Sequence, residues 1–155
     1  MLAVAQVGQD TSGRLGWETP TAPALALWGQ WDTGWYLHIA TRGYSPEPVY
    51  QHYPSYAFFP LYPTLVGWLS HVTGSAFVAG LLLSNVALLA GLAALHTWVA
   101  AEHGRDVAQR AVRYTLLWPT SFVLSAVLTE GLFFALSVVA LERATLYGLV
   151  VYNNR

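Results

Sequence analysis

The sequence predicts an all-α membrane protein: multi-spanning helices, preceded by an extracytoplasmic loop that carries a short helix and leads into an amphipathic interfacial helix. Three observations carry this. The 155 residues are 55% hydrophobic and only 10% charged, where a soluble domain averages about a quarter charged. Residues 76–100 hold no Asp, Glu, Lys or Arg, enough helix to cross roughly 30 Å of hydrocarbon. Arginines then collect beside the connection that follows, as expected of a cytoplasmic loop.

Composition excludes several classes. A net charge of −1 argues against a nucleic-acid surface. Without cysteine there is no disulfide framework and no thiolate metal site. The start "MLAVAQVGQD" has no basic n-region, and Gln6 and Gln9 break its apolar run, so it does not read as a signal peptide.

Residues 8–30 are rich in Gly, Thr, Pro and Ala without a sustained period, and read as a loop. At Asp32 the pattern changes. Asp is a good helix N-cap, Trp35, Tyr36, Ile39 and Ala40 recur at helical spacing, and Gly43 suits the C′ position. A helix over 33–42 follows. "GYSPEPVYQHYPSY" is a proline- and tyrosine-rich loop that completes an extracytoplasmic segment 1–56. Residues 57–75 contain Pro60 and Pro63, after which Leu65, Val66, Leu69 and Val72 line one face of a helix. That stripe suits an interfacial helix with Tyr62 and Trp68 at headgroup level; a steeply inserted helix is the competing reading. Spans are expected at 76–100, at 111–128 with a kink at Pro119, and at 131–152. Arg105, Arg110 and Arg113 follow the first span and Arg143 lies near the end of the third, which makes that face cytoplasmic. Asp32 and Glu130 then share the opposite compartment.

Chemistry concentrates in "QWDTGWYLHIATRGYS", residues 30–45. Asp32 reads equally as a helix cap worth about 1 kcal/mol and as a general base made more basic by partial desolvation between Trp31 and Trp35. Trp and Tyr faces also stack on sugar rings, although an interfacial aromatic belt accounts for such residues too. His38 and Arg42, one turn apart, suit a phosphate at the membrane surface; a solvated face, or Arg42 bonding the last carbonyls of its helix, is the plainer reading. Glu130, between two apolar runs, is either an intramembrane functional acid or part of a hairpin Thr129-Glu130-Gly131. His38, His52, His71, His96 and His103 offer no metal-ligand spacing, and no Walker, GxSxG or GxGxxG motif is present.

Taken together, the segments "WDTGWYLHIATRGY", "YAFFPLYPTLVGWL" and "LLWPTSFVLSAVLTEGLFFALSVVAL" resemble the PIG-V family of mannosyltransferases, membrane enzymes of the GT-C class. The matches run in order: Trp31-Asp32, Ile39-Ala40, Gly43-Tyr44, Ala57-Phe58-Phe59-Pro60 with Pro63, Pro119-Thr120-Ser121 and Thr129-Glu130. The eukaryotic member of the family adds the second mannose of the GPI anchor precursor. The resemblance implies mannose transfer from a polyprenyl- or dolichyl-phosphate donor at the extracytoplasmic face. It makes Asp32 the first-loop carboxylate that takes the proton from the acceptor hydroxyl; Trp31, Trp35, His38, Arg42, Tyr44 and Glu130 are the substrate-binding candidates. No metal and no cofactor beyond the lipid-linked sugar are expected, and the partners are that donor, membrane lipids and the remainder of an enzyme of which this chain looks like the front third. A multi-pass protein of a bacterial plasma membrane, rather than of the endoplasmic reticulum, is the expected setting. The competing class is a non-catalytic membrane fragment or scaffold module; a small transporter subunit, resting on Glu130 alone, is a third.

Overall fold

The computed structural model describes residues 23–45 and 55–153. Residues 1–22 and 46–54, most of the segment read as an extracytoplasmic loop, lie outside the described residues. Among those described the architecture is all-helical, without strands: α1 (Thr33–Arg42), α2 (Leu61–Thr73), α3 (Ala76–His103), α4 (Arg105–Leu117) and α5 (Glu130–Asn153). Short 3₁₀ turns at Pro23–Gly29, Ser55–Ala57 and Ser121–Leu124 lie between or before them. The first of these falls inside the stretch read as loop.

α1 has the predicted bounds. It ends at Gly43, whose φ of 80° favours glycine and whose amide donates to the Ile39 carbonyl. α2 begins at the two prolines rather than being broken by them. Pro60 precedes the first turn and Pro63 lies within it, where a backbone N–H has no intrahelical acceptor and its loss costs little.

The face that α2 buries is not the one its apolar stripe suggests. Tyr62, Pro63 and Val66 are buried and Leu69 packs beside them, but Val72 is 83% exposed and Trp68 78% exposed. Tyr62, expected at headgroup level, is instead 1% exposed. Its hydroxyl lies 2.8 Å from Ser84 Oγ and donates to the Gly80 carbonyl over 3.2 Å. A phenol can be buried where α3 supplies polar partners.

α3 is central and packs against α2, α4 and α5. Ser75 caps it, its Oγ accepting from the Val78 amide. The expected span 76–100 thus lies inside Ala76–His103. Among the described residues this is the one helix long and apolar enough to cross a membrane.

The expected helical span 111–128 does not form as such. α4 starts earlier, at Arg105, and stops at Leu117. Trp118 precedes Pro119 and takes ψ 133°, the extended conformation that a following proline imposes. Pro119 therefore ends the helix instead of kinking it, and residues 118–129 continue as turns. α4 is also polar over its first turns, with Arg105, Asp106, Gln109, Arg110 and Arg113.

α5 forms a helix over almost the same residues as the third expected span, 131–152, although only α3 among the described helices is long and apolar enough to cross a membrane. It runs parallel to α3: Ser84 Oγ donates to the Leu128 carbonyl just before α5, and further along Thr97 Oγ1 donates to Glu142 Oε1. Arg143 therefore lies toward the same end of the bundle as Arg105.

Candidate active site

The N-terminus of α1 and the N-terminus of α5 are brought together by polar contacts of the chain between Ser125 and Thr129. Trp28 Nε1 donates to Ser125 Oγ over 2.9 Å, and the Val127 amide donates to the Trp28 carbonyl over 3.0 Å. Thr33, fully buried, donates to the Val127 carbonyl over 3.1 Å. From α3, Ser84 holds the Leu128 carbonyl over 3.1 Å and Asn85 Nδ2 the Ser125 carbonyl over 3.0 Å. All but the Trp28–Ser125 side-chain bond satisfy backbone groups of this non-helical stretch, and together they fix where Glu130 begins its helix.

α5 starts against α3 because residue 131 is glycine. A Cβ there would collide with the Leu124 carbonyl oxygen and lie 2.9 Å from the Ser84 carbonyl oxygen.

Between α1, α2 and α5 a cleft of about 530 Å³ results. Two carboxylates, Asp32 and Glu130, line it together with Thr129. Phe58, Phe59 and Leu61 form apolar lining on one side, and Leu132, Phe133 and Leu136 contribute it from α5. Tyr36 and Tyr62 complete the lining. Their rings meet edge to face at 5.2 Å, and Tyr36 meets Phe58 in the same way at 5.2 Å, a favoured aromatic geometry.

Asp32 occupies the N-cap position of α1 but does not cap it. Its backbone is helical (φ −78°, ψ 0°), and its side chain makes no cap hydrogen bond. A capping side chain needs an extended backbone to fold back onto the first amides, which this conformation denies. The residue is exposed and lines the cleft instead. The residue before it explains the geometry: Trp31 holds a φ of 56°, rare for a bulky side chain. That turn places its exposed ring 5.6 Å from Phe122.

The Tyr36 hydroxyl sits within the cleft, 3.3 Å from Thr129 Oγ1. Burial raises the phenol above its ordinary value of 10.0, the Thr129 bond works against that, and the negative charges of Glu130 and Asp32 raise it further. It is a neutral hydrogen-bonding group at physiological pH.

The other residues singled out by sequence lie elsewhere. Trp35 stacks on Phe58 at 5.4 Å and so backs the cleft without lining it. Tyr44 donates to the Phe58 carbonyl over 2.7 Å and stacks on Tyr56. His38 is buried, while Arg42 is exposed at the far end of α1, roughly 15 Å from Asp32 along the axis. His38 and Arg42 therefore lie further along α1 than Asp32, outside the lining of the cleft. Tyr36, Tyr62 and Phe133 were not singled out. Among the described residues no three acidic, histidine or cysteine side chains form a metal-binding group.

A family model for mannosyltransferase (PIG-V) matches residues 23–151, spanning every element of the cleft. The chain belongs to this family. No curated protein and no solved structure gives a significant match. Membership supports a role in mannosyl transfer, and it gives the acid-lined cleft a chemical context: in a glycosyl-transferring family, a carboxylate at an aromatic-walled site suits proton removal from a sugar hydroxyl.

Proposed function

We propose that the cleft transfers mannose from a lipid-phosphate-linked donor to an acceptor hydroxyl at the extracytoplasmic membrane face. Asp32 acts as general base. The acceptor oxygen attacks the anomeric carbon, its proton passes to Asp32, the bond between that carbon and the phosphate oxygen breaks, and the lipid phosphate departs with inversion. Glu130, on the opposite element, accepts hydrogen bonds from sugar or acceptor hydroxyls. The apolar lining from Phe58, Phe59, Phe133 and Leu136 suits the first isoprene units of the donor.

The observation that supports this reading best is that the Asp32 carboxylate lines the cleft while making no cap bond. A residue that only stabilised α1 would spend its side chain on the α1 amides. Orientation follows from the arginines: Arg105, Arg110, Arg113 and Arg143 face the cytoplasm, and α1 lies outside.

The reading is tested with the chain in lipid vesicles, supplied with radiolabelled polyprenyl-phosphate mannose and mannosylated or unmannosylated glycolipid acceptors. Transfer of label to a glycolipid is expected. Donor turnover indistinguishable from empty vesicles would favour a non-catalytic membrane module.

A further inference from the structure

Tyr36 stands between the two acids of the cleft. It follows Asp32 by one helical turn, with its amide donating to the Asp32 carbonyl over 3.2 Å. Both residues line the cleft, so they share one face of α1. At the other end of the side chain, the hydroxyl lies 3.3 Å from Thr129 Oγ1, on the residue directly before Glu130. The ring is held between Phe58 and Tyr62. Rigid at both ends, the side chain reaches from the element that carries Asp32 to the one that carries Glu130.

We infer that Tyr36 is a positioning residue: its hydroxyl, through Thr129, sets the separation of the Asp32 and Glu130 carboxylates. Other ties, such as Thr33 to Val127 and Ser84 to Leu128, hold main chain two or more residues before Glu130. The Tyr36–Thr129 bond acts next to Glu130 itself and inside the cleft. Burial keeps the phenol protonated, so the hydroxyl stays available for a hydrogen bond with Thr129. The inference deepens the mannosyl-transfer reading, and only its kinetic arm rests on that reading.

The experiment compares Tyr36→Phe, Thr129→Val and the double variant with the parent. Phenylalanine keeps the ring contacts, so the thermal unfolding midpoint is expected to stay close to that of the parent. In the kinetic arm, each single variant should lower kcat for mannose transfer about tenfold with KM for the donor changed less than threefold, consistent with misplacement of reacting groups. The double variant should be no worse than either single one, because both remove the same bond. The geometric arm needs no activity. The chain has no cysteine, so Asp32→Cys with Glu130→Cys accepts a nitroxide pair, and dipolar broadening of its spectrum reports their spacing. Adding Tyr36→Phe should spread that spacing. An unchanged spectrum overturns the inference whatever the chain transfers, as do additive kinetic losses or a parental kcat in Tyr36→Phe. Failure of transfer in the parent alone would defeat the functional reading and leave the geometric arm to decide this one.

Discussion

Thr33 donates its hydroxyl to the Val127 carbonyl at 3.1 Å, joining residues 94 positions apart in the chain. The same hydroxyl donates to the Gln30 carbonyl at 2.8 Å. One buried side chain therefore fixes the turn that presents Asp32 and the segment that delivers Glu130. Such a bond adds only about 1 kcal/mol. Its consequence is geometric, since the residues on either side of it carry the two acids of the cleft.

Gly131 tests whether the close approach of α5 to α3 is needed. A methyl group there would meet the carbonyl oxygens of Leu124 and Ser84, which are backbone and cannot swing away. Gly131→Ala should lower stability by about 1–3 kcal/mol, as overpacking does, although alanine is the better helix former by about 1 kcal/mol. Thermal unfolding in detergent checks this. A stabilised alanine variant would show that α5 sits farther from α3 than described.

Trp31 offers a reversal of the usual order of residues. Its φ of 56° lies in the left-handed region, where a residue with a Cβ carries about 1–2 kcal/mol of strain that glycine does not. Trp31→Gly and Trp31→Ala lose the same ring contact with Phe122, so their difference reports the backbone alone. Glycine should be the more stable by about 1 kcal/mol. Alanine at or above glycine in chemical unfolding would remove the strained turn from the account of how Asp32 is presented.

Arg42 separates two placements of the donor phosphate. Roughly 15 Å of helix axis lies between it and Asp32, so one sugar phosphate meets both only with each side chain stretched fully toward it. Arg42→Lys and Arg42→Gln should therefore leave KM for the donor within about threefold of the parent. A large rise for glutamine with a smaller one for lysine, the pattern expected when a bidentate fork is lost, would put the phosphate at the C-terminal end of α1.

Much of the frame was legible because it is written in local punctuation. Asp32 and Gly43 bracket α1, the uncharged apolar run 76–100 announces α3, and Arg105 and Arg143 come together at one end of the bundle. Pro119 was visible too, but whether a proline kinks a helix or ends it depends on packing beyond its neighbours, and here the chain turns away after Trp118. The site was legible only in part. Asp32 and Glu130 stand out as acids in apolar company, and both line the cleft. Tyr36 and Tyr62 do not stand out, because an aromatic at helical spacing reads the same whether it packs in a core or lines a site. Their hydroxyl partners, Thr129 and Ser84, lie 93 and 22 residues away. Helical spacing likewise puts His38 and Arg42 one turn apart but does not say that His38 is buried and Arg42 exposed.

Asp32 carries the central claim, and the fold sharpens its test. Because its side chain makes no cap bond, neither Asp32→Asn nor Asp32→Ala removes a stabilising contact with α1. Both variants should unfold within about 0.5 kcal/mol of the parent, as substitutions away from buried contacts do, whereas loss of a true cap to alanine costs about 1 kcal/mol. As the general base, however, Asp32 should be indispensable. The decisive measurement is the initial rate of mannose transfer from polyprenyl-phosphate mannose by the parent and by Asp32→Asn, at equal protein in the same vesicles. Asparagine keeps the size and polarity of the side chain but cannot take up the proton, so the rate should fall by about 10²–10⁴-fold. A rate within a few-fold of the parent would contradict the assignment of Asp32 as the base, and with it the proposed mechanism.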